Sequence, residues 1–285
     1  MGFTFGIGFV LSPIISGMAT KFFGDLAPLW SAVGLCIGAM GIAYVFIDEH
    51  ELKASQEDSN QKSQHLTLKS AYHILKRPNV LNVYVKKSLV LSPMLMILTV
   101  MPLHMINKFG VTQENNGMYQ VAVGMTLMFI NGFGIVWLRS KLNETKLIVL
   151  GTASVILTLL QFCYFEYLWL MWTIIPTLAL GLTLTGTVCD SVLTSSVKHD
   201  EQGIILGLVN ATQSFMRTIS PAFGGYAMDR YGFNSLGYIG TILASLAMVG
   251  HFIVPIRDIE ELKKNDDKVY QNGVHTEADE EKKEL

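Results

Sequence analysis

The sequence predicts an all-α membrane protein, and three observations predict it. Half of the 285 residues are apolar and only 15% are charged, against about 25% in a soluble domain. Mean hydropathy is positive, at +0.38. The charges are also gathered: residues 48–79 and 257–285 hold most of them, and long stretches elsewhere have none. A bilayer core of about 30 Å takes roughly 20 residues of helix, because every backbone donor and acceptor must be satisfied inside the segment. This composition sets aside disordered, fibrous and disulfide-scaffold classes and argues against a soluble enzyme. A net charge of −2 argues against a nucleic-acid partner, leaving the lipid bilayer as the first one.

Seven stretches without Asp, Glu, Lys or Arg follow in order: 1–20, 26–47, 88–107, 115–138, 147–165, 167–189 and 231–256. An eighth, 202–228, is interrupted only by Arg217. The first has no basic flank before it, its first Lys being Lys21, so it reads as a mature helix and not a signal peptide. Pro13 and glycines 2, 6, 8 and 17 suit it to close helix packing. Residues 48–66 cannot bury a core and are expected to be disordered, while apolar residues at helical spacing over 68–75 suggest a helix lying on the membrane surface. Pro93, Pro102 and Pro176 are expected to kink their spans. Trp30, Trp137, Trp169 and Trp172 read as interfacial anchors. Cys36, Cys163 and Cys189 lie in apolar stretches and read as packing, not as a disulfide or metal site. The tail from Asp258 alternates acid and base and reads as a solvated extension.

Lys and Arg set the orientation. With Met1 on the cytosolic side and the spans alternating, seventeen of the 21 basic residues fall on that side, three fall opposite, and Arg217 stays within a helix. The 48–79 loop and the C-terminus are therefore expected in the cytosol. The sequons at Asn143 and Asn210 fall on the cytosolic side and inside a helix, and neither is expected to carry a glycan.

An internal repeat runs at an offset of 208 residues. Ser12-Pro13, Gly17, Ala19 and Phe23-Gly24 are matched by Ser220-Pro221, Gly225, Ala227 and Tyr231-Gly232. Parallel repeats related by an axis along the membrane normal build two-bundle transporters. The pattern Gly8-x-x-x-Ser12-Pro13-x-x-Ser16-Gly17 resembles the helix-five antiporter motif of the major facilitator superfamily, Gly-x-x-x-Gly-Pro-x-x-Gly-Gly, with two serines in place of glycines. The stretch from Val188-Cys189-Asp190 through Gly203 to Met216-Arg217 and Ser220-Pro221-Ala222-Phe223-Gly224-Gly225 is closer still. It resembles the drug–proton antiporters of that superfamily, of the tetracycline-efflux type, and the organic-cation-transporter-like branch of solute carrier family 22.

The resemblance covers residues 1 to about 256 and implies a partial major facilitator fold of about eight transmembrane helices, five to twelve of twelve. Residues 1–47 would be the last two helices of an N-terminal bundle, 48–79 a cytosolic linker, 80–256 the C-terminal six-helix bundle and 257–285 a disordered tail. Helices one to four have no counterpart here. Leu138-Arg139-Ser140-Lys141 stands where the family has Asp-Arg-x-Gly and lacks that motif.

Ionisable groups in hydrocarbon cost a few kcal/mol and mark partners or watery cavities. Asp190 is the candidate proton carrier or counter-ion for a cation, with Arg217 as its charge partner. Lys86, and beside it Lys87, lie just inside the seventh helix, and the resemblance favours Lys86 as the family's helix-seven Lys. Static pairing of Asp190 with Arg217 or Lys86 is the purely structural alternative, and snorkelling to the interface is the alternative for both lysines. The implied function is proton-coupled antiport of small organic cations or drug-like amphiphiles by alternating access, with no cofactor and no enzymatic motif. The rival is a truncated or incompletely encoded form that does not transport, whose one protein partner would be a full-length transporter.

Overall fold

The computed structural model describes residues 2–24, 26–46, 73–197, 201–254 and 256. All regular structure among them is helical. The expected disordered linker 48–66 and tail 257–285 lie outside the described residues, as does the 68–75 segment up to residue 72.

Among the described residues ten α-helical segments build eight rods. They are α1 (Gly2–Phe23), α2 (Ala27–Phe46), α3 (Pro78–Phe109), α4 (Gln113–Phe129), α5 (Ile135–Arg139), α6 (Glu144–Cys163), α7 (Met171–Thr183), α8 (Cys189–Ser195), α9 (Gln202–Tyr231) and α10 (Asn234–Ile253). A π-helical turn, Ile130–Gly134, joins α4 to α5, and another, Leu184–Val188, joins α7 to α8, so each pair runs on as one rod. Among the described residues, seven rods are long and apolar enough to cross a bilayer. The eighth, α9, has 30 residues but is diluted by Asn210, Gln213 and Arg217.

Local chemistry fixes the ends. Pro78 opens α3 after Arg77 in extended conformation, where a preset φ and a missing N–H cost nothing. At the other end Gly110 takes φ 61° and returns its N–H to Ile106, a left-handed cap that a side chain would resist. α3 starts ten residues before the charge-free stretch that predicts it. The reason is that Lys86 and Lys87 find partners inside the bundle and do not end the helix.

α3 is central, lying against α9 and α10 and touching α6 and α8; α10 and α7 pack on α6. Two apolar clusters stack along the bundle. Met94, Ile97, Met105, Phe162, Phe165 and Phe233 fill one end, and Val80, Val83, Leu147, Val188 and Leu193 fill the other. His104 and His251, which read as residues facing headgroups, are buried instead, and His104 stacks on Phe233 with ring centroids 4.0 Å apart. The rods' outer faces expose Phe23, Tyr44 and Phe252 almost fully, an apolar coat that suits acyl chains and not water.

The hairpin of α1 and α2 joins the bundle through α1 on α4. Contact is tightest at Gly6, where a Cβ would stand 2.9 Å from the Met128 backbone; Gly8 and Gly17 meet nothing within 4 Å. Close approach on α1 thus falls outside the antiporter-like motif. On α9 it falls at the motif's Gly224, where a Cβ would meet Val100 at 2.6 Å, while Gly225 faces open space.

The 208-residue repeat recurs in the backbone. Gly24 and Gly232 both take positive φ, 85° and 79°. Each closes its helix by donating to the residue four before it, Thr20 and Met228, and each accepts from the residue three after it, Ala27 and Ser235. All three pairs of positions keep the same offset.

Candidate substrate and ion pathway

Successive residues on a helix point about 100° apart, and on α3 this separates two lysines. The Lys87 side chain is 3% exposed and its Nζ pairs with Asp190 Oδ1. Lys86, also buried, donates to the Val254 carbonyl at 2.5 Å, at the end of α10, and Asn82 donates to the same oxygen at 3.2 Å. Neither lysine snorkels.

Asp190 sits in the first turn of α8, directly after the π turn. A π turn inserts an extra residue and leaves the ladder locally irregular, which is common at functional positions. The other π turn holds Asn131, whose Nδ2 donates to Leu127 O at 2.8 Å and Thr183 Oγ1 at 3.0 Å. The first π turn is therefore tied to the end of α7, at the residue that precedes the second.

A cleft runs from this pair between α3 and α9. Tyr84, Lys87, Ser88, Leu91, Ser92 and Leu95 face Val209, Thr212, Gln213 and Met216, and Tyr84 Oη hydrogen-bonds Thr212 Oγ1. Its void of about 20 Å3 holds a water but no drug-sized ligand, for which about 300 Å3 is needed. Asp190 is the more open partner, its side chain 39% exposed. Of the two, Lys87 is the one that lines the cleft.

A polar clamp ties the nearby helix ends. Arg77 binds Glu201 through two bonds of 2.7 and 2.8 Å, Asn79 donates to Ser196 at 2.9 Å, and Gln202 reaches Thr194 O at 3.3 Å. The start of α3 is so joined to the end of α8 and the start of α9.

The family model described as Major Facilitator Superfamily matches residues 1–221. The chain belongs to the major facilitator superfamily. Its similarity to curated relatives is low but long. It is 23% identical over 261 residues to solute carrier family 22 member 18 of Mus musculus, covering 87% of this chain and 62% of that protein. The Rattus norvegicus protein of the same name is also 23% identical, with 87% and 61% covered. Solute carrier family 67 member A1 of Homo sapiens is 21% identical, with 87% and 60% covered. The chain thus spans about three-fifths of the length of these relatives.

In this facilitator-superfamily chain, the structure gives Asp190 the partner Lys87, not Lys86 or Arg217. Arg217 is exposed on α9, one residue past the cleft's Met216, and has no ion pair among the described residues. In the antiporter-like motifs, Ser12 is exposed and Pro13 half-buried; Ser220 is buried and donates to Met216 O at 2.6 Å, and Pro221 is exposed. Asn131 and Gln161 both bond between helices, Gln161 accepting from Thr177 at 3.1 Å. The described residues hold no group of three His, Cys, Asp or Glu placed for a metal. The Arg77–Glu201 clamp escapes sequence reading because both residues count there only as loop charges.

Proposed function

We propose that this chain forms part of a secondary transporter that exchanges protons for organic cations or drug-like amphiphiles by alternating access. The observation that carries the reading is the Lys87–Asp190 pair, whose lysine lines the α3–α9 cleft and whose carboxylate is partly exposed. A carboxylate in low dielectric holds one positive partner at a time: the lysine, a proton or a cationic ligand. Arrival of one displaces another, and a ligand biases a two-state protein only through such differential contacts. Serine, threonine and tyrosine hydroxyls along the cleft supply neutral hydrogen bonds, and its leucines and methionine supply apolar contact.

The test is uptake of a fluorescent organic cation into proteoliposomes under an imposed pH gradient. Uptake is expected to collapse in Asp190→Asn, and unchanged transport in that variant would sink the reading. A second form of the reading has activity need a full-length partner. Transport that appears only on co-reconstitution with such a partner supports that form.

A further inference from the structure

We propose that a second, lipid-side site lies between α3 and α10, where the phosphate of a glycerophospholipid meets Lys86. The groove there has a volume of about 290 Å3 and is lined by Leu81, Asn82, Val85, Lys86, Leu89 and Leu246, among others. Leu81, Val85 and Leu246 are exposed, so the groove opens on the outer face of the bundle and belongs to neither the cleft nor the Asp190 pair.

Charge complementarity selects the occupant. Lys86 is 6% exposed, and no carboxylate pairs with it among the described residues. Asp190, on α8, is engaged by Lys87. What Lys86 has is one neutral carbonyl, Val254 O, at a helix end whose dipole supplies about half a negative charge. An ammonium carries three N–H donors, so two remain, with part of a positive charge uncompensated in a low-dielectric setting.

Depth and shape agree with a lipid. Lys86 stands eight residues into α3, about 12 Å from its start, and level with the last turn of α10. The candidate span of α10 ends at Ile253, one residue before the carbonyl that Lys86 meets, so this end of the groove lies toward the headgroup boundary. Basic pockets between helices at this boundary bind lipid headgroups. The apolar wall takes the first methylenes of an acyl chain, which water-soluble anions do not possess.

Native mass spectrometry of the detergent-purified full chain tests this with three probes: dioleoylphosphatidylglycerol, dioleoylglycerol and glycerol 3-phosphate. Phosphatidylglycerol is expected to bind one to one, about fivefold tighter than the phosphate-free lipid, as one lysine beside an anionic headgroup implies. Lys86→Gln should erase that preference and Lys86→Arg should keep it. Val85→Trp, on the exposed wall, should weaken both lipids while leaving Lys86 in place. Unchanged binding in K86Q or in V85W overturns the site. Full displacement by glycerol 3-phosphate also overturns it, because the site then takes a soluble phosphate.

Discussion

Lys87 and Asp190 are unequal partners, and their inequality can be measured. Removing one member of a buried pair costs about 3–5 kcal/mol when the other is left without compensation. Lys87 is 3% exposed and lines only a void with room for about one water, while Asp190 is 39% exposed and can hydrate directly. Asp190→Ala should therefore lower the thermal midpoint of the solubilised protein much more than Lys87→Ala. The double variant should recover part of the loss, since it removes the stranded ammonium as well. Equal effects of the two single variants would contradict this burial pattern. The sequence made Asp190 and the two lysines conspicuous by placing charge in apolar runs. It could not say which lysine reaches the acid, because that depends on the rotation of α3 against α8 and α10. Arg217 shows the converse: its position in a span suggested a partner, yet the structure turns it to the exposed side of α9.

Helix contact in this bundle depends on absent side chains at a few positions. A Cβ on Gly237 would stand 2.7 Å from the backbone nitrogen of Cys163, which cannot yield. Gly237→Ala should force α10 away from α6 and cost about 1–3 kcal/mol, read as a lower midpoint of unfolding. Gly207→Ala is the matched control, because nothing lies within 4 Å of that Cβ. There alanine should be neutral or stabilise by up to about 1 kcal/mol. Asn131→Ala removes the tie between the first π turn and the end of α7. It should cost about 0.6–1.7 kcal/mol, the usual span for a hydrogen bond between membrane helices. Most of the elements themselves were legible, since a run without charge leaves the backbone no alternative to helix. The π turns were not. Their residues, Ile-Asn-Gly-Phe-Gly and Leu-Thr-Gly-Thr-Val, are ordinary membrane-helix composition, and the shift from α to π changes only which carbonyl each N–H meets.

For the whole molecule, the excess of Lys and Arg on one side predicts that the carboxyl terminus and the sequon at Asn143 stay in the cytosol. A C-terminal epitope should be reached by antibody only after cells are permeabilised, and glycosidase should leave the band unchanged. Staining of intact cells would reverse the orientation, and with it the side from which Asp190 is reached. The superfamily was legible from short motifs because proline and glycine record backbone constraints that survive heavy substitution elsewhere. The packing of the described residues was less so, since it rests on which faces of eight rods meet.

The paired turns at Gly24 and Gly232 carry a consequence for how such a chain can be rebuilt. Matching hydrogen bonds at one fixed spacing mean that the two corners reach the same backbone pairing with different side chains. The corner is thus a module with interchangeable ends. A hybrid in which the later corner, residues 228–235, replaces residues 20–27 should enter the membrane and migrate as a single species on size exclusion, whereas alanine at either glycine should not.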